Sequence, residues 1–227
     1  LAYHKVGDSH PFLNVKPEDF ARHMRLLARL RYRIVTLAEA AERRSVGNAN
    51  DKLAVVTFDD GYVNIAEHAA PVLHALGWTA TIYYPTAYAG TANEWDVKLG
   101  HPQSPIMDWK AIASLQSEGW EIGGHTHTHP MLNELNEETA RDEIASGLKN
   151  IEDHLGKAPR TFCYPFGKYN ASTVNIVREV GFTAACTVAS GRIKPSTDPY
   201  ELPRVKPAYR DSLIGFAYRL LLRPHLP

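Results

Sequence analysis

Two carboxylates stand side by side in Thr57-Phe58-Asp59-Asp60-Gly61-Tyr62, directly after the apolar run Leu53-Ala54-Val55-Val56. Adjacent negative charges at the end of a hydrophobic strand repel each other, and Gly61 lets the chain turn sharply there. Three imidazoles follow in Gly123-Gly124-His125-Thr126-His127-Thr128-His129-Pro130. If this segment were strand, all three would point to one side. If it turned into helix after His125, then His125 and His129 would share a face at i, i+4, with His127 pointing away. Pro130 and the two glycines favour the turning geometry, and either way at least two imidazoles converge. Two His plus one carboxylate is the ligand set of an open, catalytic metal site. A bound metal acidifies water and polarises a carbonyl oxygen, and an unligated carboxylate beside it can take the proton. One aspartate on the ion and one left free as base is therefore a use for the pair. The bland alternative for Asp-Asp-Gly is a plain strand-to-loop turn. A third segment, Phe162-Cys163-Tyr164-Pro165-Phe166-Gly167, puts Pro165 and Gly167 in a tight turn. Such a turn can aim a backbone N–H at a developing oxyanion, or simply pack its aromatic rings.

The elements that would position these clusters alternate short apolar runs with helical periods. Pro17 to about Tyr32 reads as a helix, with Pro at its start and Glu18 and Asp19 in the first turn. Ile34–Thr36 is strand-like and Leu37 to Arg44 helical; Leu53–Phe58 reads as one strand, Ile65 to Leu76 as a helix closed by Gly77, and Trp78–Tyr84 as a strand. The stretch from about 85 to 107 has no clear period and reads as a long loop near one rim. Asp108 caps a helix reaching Glu118, Trp120-Glu121-Ile122 starts the next strand, and Asn136 caps the strongest helix, which runs to His154. Strand 161–164, helix 171–180, strand 182–188, a short strand near 201–205 and an amphipathic helix from Asp211 to Leu222 complete the series. Six or seven such units without a linker indicate one α/β domain over 1–227 with a parallel sheet. No Gly-rich phosphate loop follows any strand, which favours a closed barrel, and in barrels the active site lies at the C-terminal strand ends. Each of the clusters above falls just after an expected strand.

Composition narrows the partners. Among 227 residues, 25 Lys plus Arg balance 25 Asp plus Glu, so no net field draws nucleic acid or an anionic membrane. Eleven His are the one oddity and direct attention to metal ligands. The two cysteines, Cys163 and Cys186, lack CxxC spacing and read as buried free thiols. No apolar run is long enough to span a bilayer. The chain starts at Leu1 rather than Met, so the expected location is cytoplasmic if the chain is near full length, and periplasmic or exported if a leader was removed.

Taken in order, Thr57-Phe58-Asp59-Asp60-Gly61, His125-Thr126-His127-Thr128-His129 and Tyr164-Pro165-Phe166-Gly167 resemble the motifs of the polysaccharide deacetylases with the NodB-homology domain. The resemblance covers roughly residues 1–205. It implies a distorted (β/α)7 barrel that hydrolyses acetyl groups on sugars with one divalent metal, commonly Zn2+, with Co2+, Ni2+ or Mn2+ as alternatives. Carried over residue by residue, it implies Asp59 as catalytic base and Asp60, His125 and His129 as metal ligands. Thr126 would steady the loop, and the Phe166 backbone N–H would serve the oxyanion site; His127 is not a ligand position. The family's third motif usually begins with an Arg that holds the catalytic Asp, and Cys163 stands there instead. Arg204, in Glu201-Leu202-Pro203-Arg204-Val205, resembles an Arg of the subgroup acting on exported poly-N-acetylglucosamine-type polymers and is expected to replace it. The usual late Leu-x-His is not evident, and His225 lies in a proline-rich tail. In the same subgroup an early Tyr-His fills the general-acid role, which points to His4 in Tyr3-His4. Tyr164, Tyr84 and Trp109 are the candidate substrate-binding aromatics, with Tyr88 and Trp95 beside them; ring packing is the other use for such residues. The implied substrate is an acetylated exopolysaccharide whose deacetylation bears on biofilm, capsule or adhesin maturation. Two alternatives stand beside this: a catalytically impaired carbohydrate-binding barrel, and a deacetylase of a small or lipid-linked sugar.

Overall fold

The structure, a computed structural model, describes residues 1–8, 12–46, 52–207 and 212–221. The chain opens with β1 (Ala2–Tyr3), β2 (Lys5–Val6), β3 (Asn14–Val15) and α1 (Pro17–Arg29), then β4 (Arg33–Ile34), α2 (Leu37–Val46), β5 (Leu53–Ala54) and β6 (Thr57–Phe58). A π-helical turn, Ile65–Ala69, runs into α3 (Ala70–His74), followed by β7 (Thr81–Tyr84), α4 (Glu94–Val97), α5 (Trp109–Ser117) and β8 (Glu121–Gly124). Then come α6 (Glu137–Leu155), β9 (Thr161–Cys163), α7 (Ala171–Val180), β10 (Ala184–Ser190), β11 (Leu202–Arg204) and α8 (Leu213–Leu221).

Seven strands form one sheet in the order β1-β6-β7-β8-β9-β10-β11, every neighbouring pair parallel. The sheet curls until its edges meet: the Ala2 N–H donates to Val205 O at 2.9 Å. Among the described residues β1 and β11 form no ladder, and this incomplete closure is the distortion of the (β/α)7 barrel. Parallel strands covered on both faces are mostly apolar, and Phe58, Ile82, Phe162 and Ala184 are all fully buried. Helix starts follow the capping chemistry: the side chains of Asp108 and Asn136 accept the N–H groups of Ala111 and Thr139, both at 2.8 Å. Asn170 and Thr173 form a reciprocal capping box on α7.

Three sequence expectations are corrected. Leu53–Phe58 is not one strand. β5 pairs with β4 in a separate small sheet, and β6 alone enters the barrel, because the run changes partners at Val55-Val56: Ala54 O accepts from Val35, whereas Thr57 N–H donates to Leu1 O. The helix expected over Ile65–Leu76 begins in π form and ends at His74. The stretch 85–107 is not plain loop. It carries a 3-10 turn at Thr86–Tyr88, α4, and bridges from Tyr62 to Ile106 and from Ala92 to Pro105. The outer ends of the last expected helix, Asp211 and Leu222, and His225 lie outside the described residues. Among the described residues no helix is long and apolar enough to cross a membrane.

Candidate active site

β6 ends at Phe58, so Asp59 and Asp60 emerge at the C-terminal rim of the barrel, and β8 ends at Gly124, so His125 emerges beside them. The backbone there is strained. Of six non-glycine residues with positive φ among the described residues, four are Asp60 (71°), Thr126 (65°), His129 (60°) and Phe166 (54°). Each such conformation costs about 1–2 kcal/mol for an L-residue and persists only where the surroundings enforce it. Gly61 follows at φ 70°, and a Cβ there would sit 2.5 Å from the Tyr84 ring, so no larger residue fits the turn. Around the histidines, Thr126 Oγ1 donates to His125 O at 2.6 Å and accepts the His129 N–H at 3.0 Å. From α6, Glu143 accepts the N–H groups of His127 and Thr128 at 3.1 and 2.8 Å and the Thr128 hydroxyl at 2.7 Å. Gly147 on the same helix allows this approach, since a Cβ there would lie 2.8 Å from the Thr126 carbonyl. After Gly124 the chain is therefore neither strand nor helix but a turn pinned by Glu143.

The pinned turn brings His125 and His129 onto Asp60. Asp60 Oδ1 lies 3.3 Å from His125 Nε2 and 3.2 Å from His129 Nε2, and the two Nε2 atoms are 3.2 Å apart. All three side chains are buried. His125 Nδ1 is 2.6 Å from the Cys163 carbonyl, which can only accept, so Nδ1 carries the proton and Nε2 presents a lone pair in the neutral ring. Burial pushes the His129 ring below the usual histidine range despite the pull of Asp60, which keeps it neutral. Burial pushes the Asp60 carboxyl up, but the two facing imidazoles more than reverse this and hold it well below the usual range. Asp60 Oδ1 and His129 Nδ1 nevertheless make no hydrogen bond of normal geometry. A buried carboxylate oxygen facing two imidazole nitrogens without such bonds fits a cation. A tetrahedral shell with metal–ligand bonds of about 2.0–2.1 Å has edges of about 3.3–3.4 Å, close to the observed triangle. Asp60, His125 and His129 can hold one metal ion.

Asp59 faces different partners. Arg204, at the end of β11, donates from Nη1 and Nη2 to its two oxygens at 2.6 and 2.7 Å. The fork is held by Thr187 O, which accepts from Nε at 2.9 Å, and by Thr57 Oγ1, which accepts from Nη1 at 2.9 Å. Cys163 Sγ lies 3.2 Å from Nη2 and 3.7 Å from Asp59 Oδ2, so the thiol occupies the space beside the clamp. Burial pushes this thiol well up, which leaves it uncharged next to the carboxylate. For Asp59, burial acts upward, and Arg204 first, then His4, outweigh it to leave the carboxyl below its ordinary value. His4 follows β1 and places Nε2 3.6 Å from Asp59 Oδ2, with its side chain 21% exposed. First and last barrel strands thus deliver His4 and Arg204 to one carboxylate.

The remaining candidates divide. Phe166 packs its ring edge-on against His129, at 4.6 Å between centroids. His127 stays outside the triangle, with Nδ1 2.9 Å from Thr86 Oγ1. Tyr84 is fully buried, and its hydroxyl donates to Met107 O at 2.6 Å. Tyr164 is buried too, donating to Tyr200 O at 3.0 Å and stacking on Tyr169. These hydroxyls are engaged inside the protein and present no face to a sugar. Trp109 is half-buried and stacks flat on His154 at 4.1 Å. Trp95 of α4 stacks on His129 at 4.2 Å, so the 85–107 segment covers one metal-ligand candidate. Its neighbour Asp96 accepts from Tyr62 Oη at 2.9 Å and Asn93 Nδ2 at 2.8 Å. Glu143, Thr187 and Asp96 carry no signal in the sequence, since each is a single polar residue without a motif. The aperiodic 85–107 stretch read only as a loop near the rim.

A (β/α)7 barrel with an Asp-His-His triangle beside an Arg-clamped aspartate, all at the C-terminal strand ends, defines a hydrolase of the metal-dependent type. The chain belongs to the polysaccharide deacetylase family, whose model matches residues 46–185. The Bacillus subtilis protein YxkH is 27% identical over 207 residues, covering 91% of this chain and 70% of its own length. A poly-beta-1,6-N-acetyl-D-glucosamine N-deacetylase of Staphylococcus epidermidis is 22% identical over 229 residues, covering 90% of this chain and 77% of its own. The solved structure of IcaB from Ammonifex degensii superposes with a TM-score of 0.82 at 25% identity, over 96% of this chain and 94% of that one.

Proposed function

We propose that residues 1–227 form one catalytic domain that removes acetyl groups from N-acetylglucosamine units of a β-1,6-linked exopolysaccharide, releasing acetate. The observation that carries this reading is the division of labour between neighbours. Asp60 joins His125 and His129, while Asp59 is kept ionised and separate by the two Arg204 hydrogen bonds at 2.6 and 2.7 Å. The polymer is supported by the Staphylococcus epidermidis relative, a poly-beta-1,6-N-acetyl-D-glucosamine N-deacetylase. Two imidazoles and one carboxylate at tetrahedral spacing suit Zn2+, with Co2+ as the nearest substitute, and an ion held there supplies Lewis acidity toward a carbonyl and acidifies water.

The chain's own groups do the rest. Asp59 takes a proton from the attacking water, and the Arg204 fork fixes which lone pair it offers. The Phe166 N–H donates to the acetyl oxygen as negative charge builds on it. His4 gives its proton to the sugar nitrogen as the C–N bond breaks, so that the nitrogen leaves as an amine and not as an amide anion. A neutral polymer thereby becomes cationic, which fits roles in biofilm or adhesin maturation. Arg204 beside Asp59 supports an enzyme over an impaired carbohydrate-binding barrel, since it supplies the cation that Cys163 lacks. The test is acetate release from β-1,6-linked N-acetylglucosamine oligomers by Zn2+-loaded protein. Release that is lost in Asp59→Asn is expected. No acetate from these or from β-1,4-linked oligomers or monosaccharides would overturn the reading.

A further inference from the structure

Lys5 is the one lysine among the described residues that is buried, at 3% exposure, and the reaction above does not use it. Its backbone is fixed by the β2–β3 pair and by a hydrogen bond from its N–H to Leu13 O at 3.1 Å. Nζ makes no ion pair and no hydrogen bond among the described residues. It rests over the Tyr62 ring, 4.5 Å from the centroid, with the Phe12 ring 5.5 Å away. Aromatic faces hold a cation but leave its N–H donors free for a third partner. Burial pushes the Lys5 ammonium below its usual range, and the charges of Asp96 first and Asp60 second offset this only in part. Asp96 is bonded to the hydroxyl of the same Tyr62, and Trp95 beside it stacks on His129. Lys5 also follows His4 directly, and His4 is 3.6 Å from Asp59. A buried ammonium with no ion pair or hydrogen bond among the described residues thus lies one ring away from Asp96, whose neighbour Trp95 stacks on His129.

We propose that Lys5 is a specificity-determining residue that binds an oxygen of the neutral N-acetylated sugar and repels the cationic amino sugar left by deacetylation. This rests on the deacetylase reading and deepens it. The charge balance fixes the sign. Arg204 offsets Asp59, the ion offsets Asp60, and Lys5 offsets Asp96. Without Lys5, Asp96 becomes a buried, uncompensated anion that draws in the glucosammonium product. Lys5 therefore limits product inhibition and steers the enzyme away from units already deacetylated.

The test is calorimetric affinity of the Zn2+-loaded protein for N-acetylglucosamine and glucosamine oligomers of equal length, alongside acetate release. Lys5→Met is expected to tighten the amino oligomer about tenfold and weaken the acetylated one a few-fold, the scale of one charge a few ångströms away. Lys5→Arg is expected to keep the wild-type ratio. Asp96→Asn, which needs no tolerance of a change at Lys5, is expected to shift the ratio the opposite way, weakening the amino oligomer. An affinity ratio unchanged within twofold in both Lys5→Met and Asp96→Asn, or one changed equally by Lys5→Arg and Lys5→Met, overturns the proposal. Absence of acetate release by wild type would instead refute the deacetylase reading, and the two failures are read on separate instruments.

Discussion

Replacing Arg204 by Met removes the clamp on Asp59 while filling much of its volume. Two charge-assisted hydrogen bonds of 2.6 and 2.7 Å disappear, and both partners are nearly inaccessible, at 4% for Arg204 and 3% for Asp59. Unit charges about 4 Å apart at an effective dielectric of about 20 interact by about 4 kcal/mol. Stranding one member of a buried pair costs about 3–5 kcal/mol of stability. In wild type the Asp59 carboxyl is held below its ordinary value. Its stabilising contribution is therefore complete above the ordinary carboxylate range and fades as pH falls through the lower folded-state value. In the variant, burial acts with only weaker opposition, so the carboxyl rises and the acid limb of the pH–rate profile moves toward neutrality. The stability deficit should be largest at neutral pH and close in acid. At pH 7, kcat/KM should fall about 100- to 1000-fold, through loss of both ionised base and its aim. Arg204→Lys should recover part of this, since it restores charge but not the fork. The assays are acetate release across pH and urea denaturation of the metal-loaded protein. Activity within threefold of wild type with an unmoved acid limb would refute the reasoning.

Two further outcomes are expected. His4→Ala should lower kcat about 100-fold or more with metal content intact, and a substrate with a better leaving group should recover most of that loss; equal loss on both substrates would remove His4 as the proton donor. Glu143→Ala strips three hydrogen bonds from the His127–Thr128 turn, so metal affinity measured by competition with a chelator should weaken about 10- to 100-fold. Unchanged affinity would mean that the turn holds its shape without Glu143.

Much of this site was legible in the chain because its chemistry is local in sequence. Asp59 and Asp60 are adjacent, and His125 and His129 are separated by three residues within one turn. Their strand-end placement follows from apolar runs that a parallel barrel must bury. What joins these segments was harder to read. Arg204 meets Asp59 across 145 residues and was reached only through family resemblance. Glu143 acts from the middle of a helix whose periodicity gives no reason to single it out. Tyr84 and Tyr164 looked like rim aromatics, but their hydroxyls find carbonyl partners inside the protein, a satisfaction that depends on tertiary neighbours. The split of Leu53–Phe58 between two sheets was hidden because both halves are equally apolar. Residues 85–107 lack a period because bridges and single-residue hydrogen bonds, not a long helix or strand, hold them in place.

The most direct measurement is acetate release from a β-1,6-linked N-acetylglucosamine oligomer by one preparation in three states: as purified, stripped with chelator, and titrated back with Zn2+. Activity should vanish on stripping and return in proportion to metal up to one equivalent per chain, with His129→Ala failing to recover. Full acetate release from protein shown by elemental analysis to hold no metal, or full recovery in His129→Ala, would contradict the assignment of Asp60, His125 and His129.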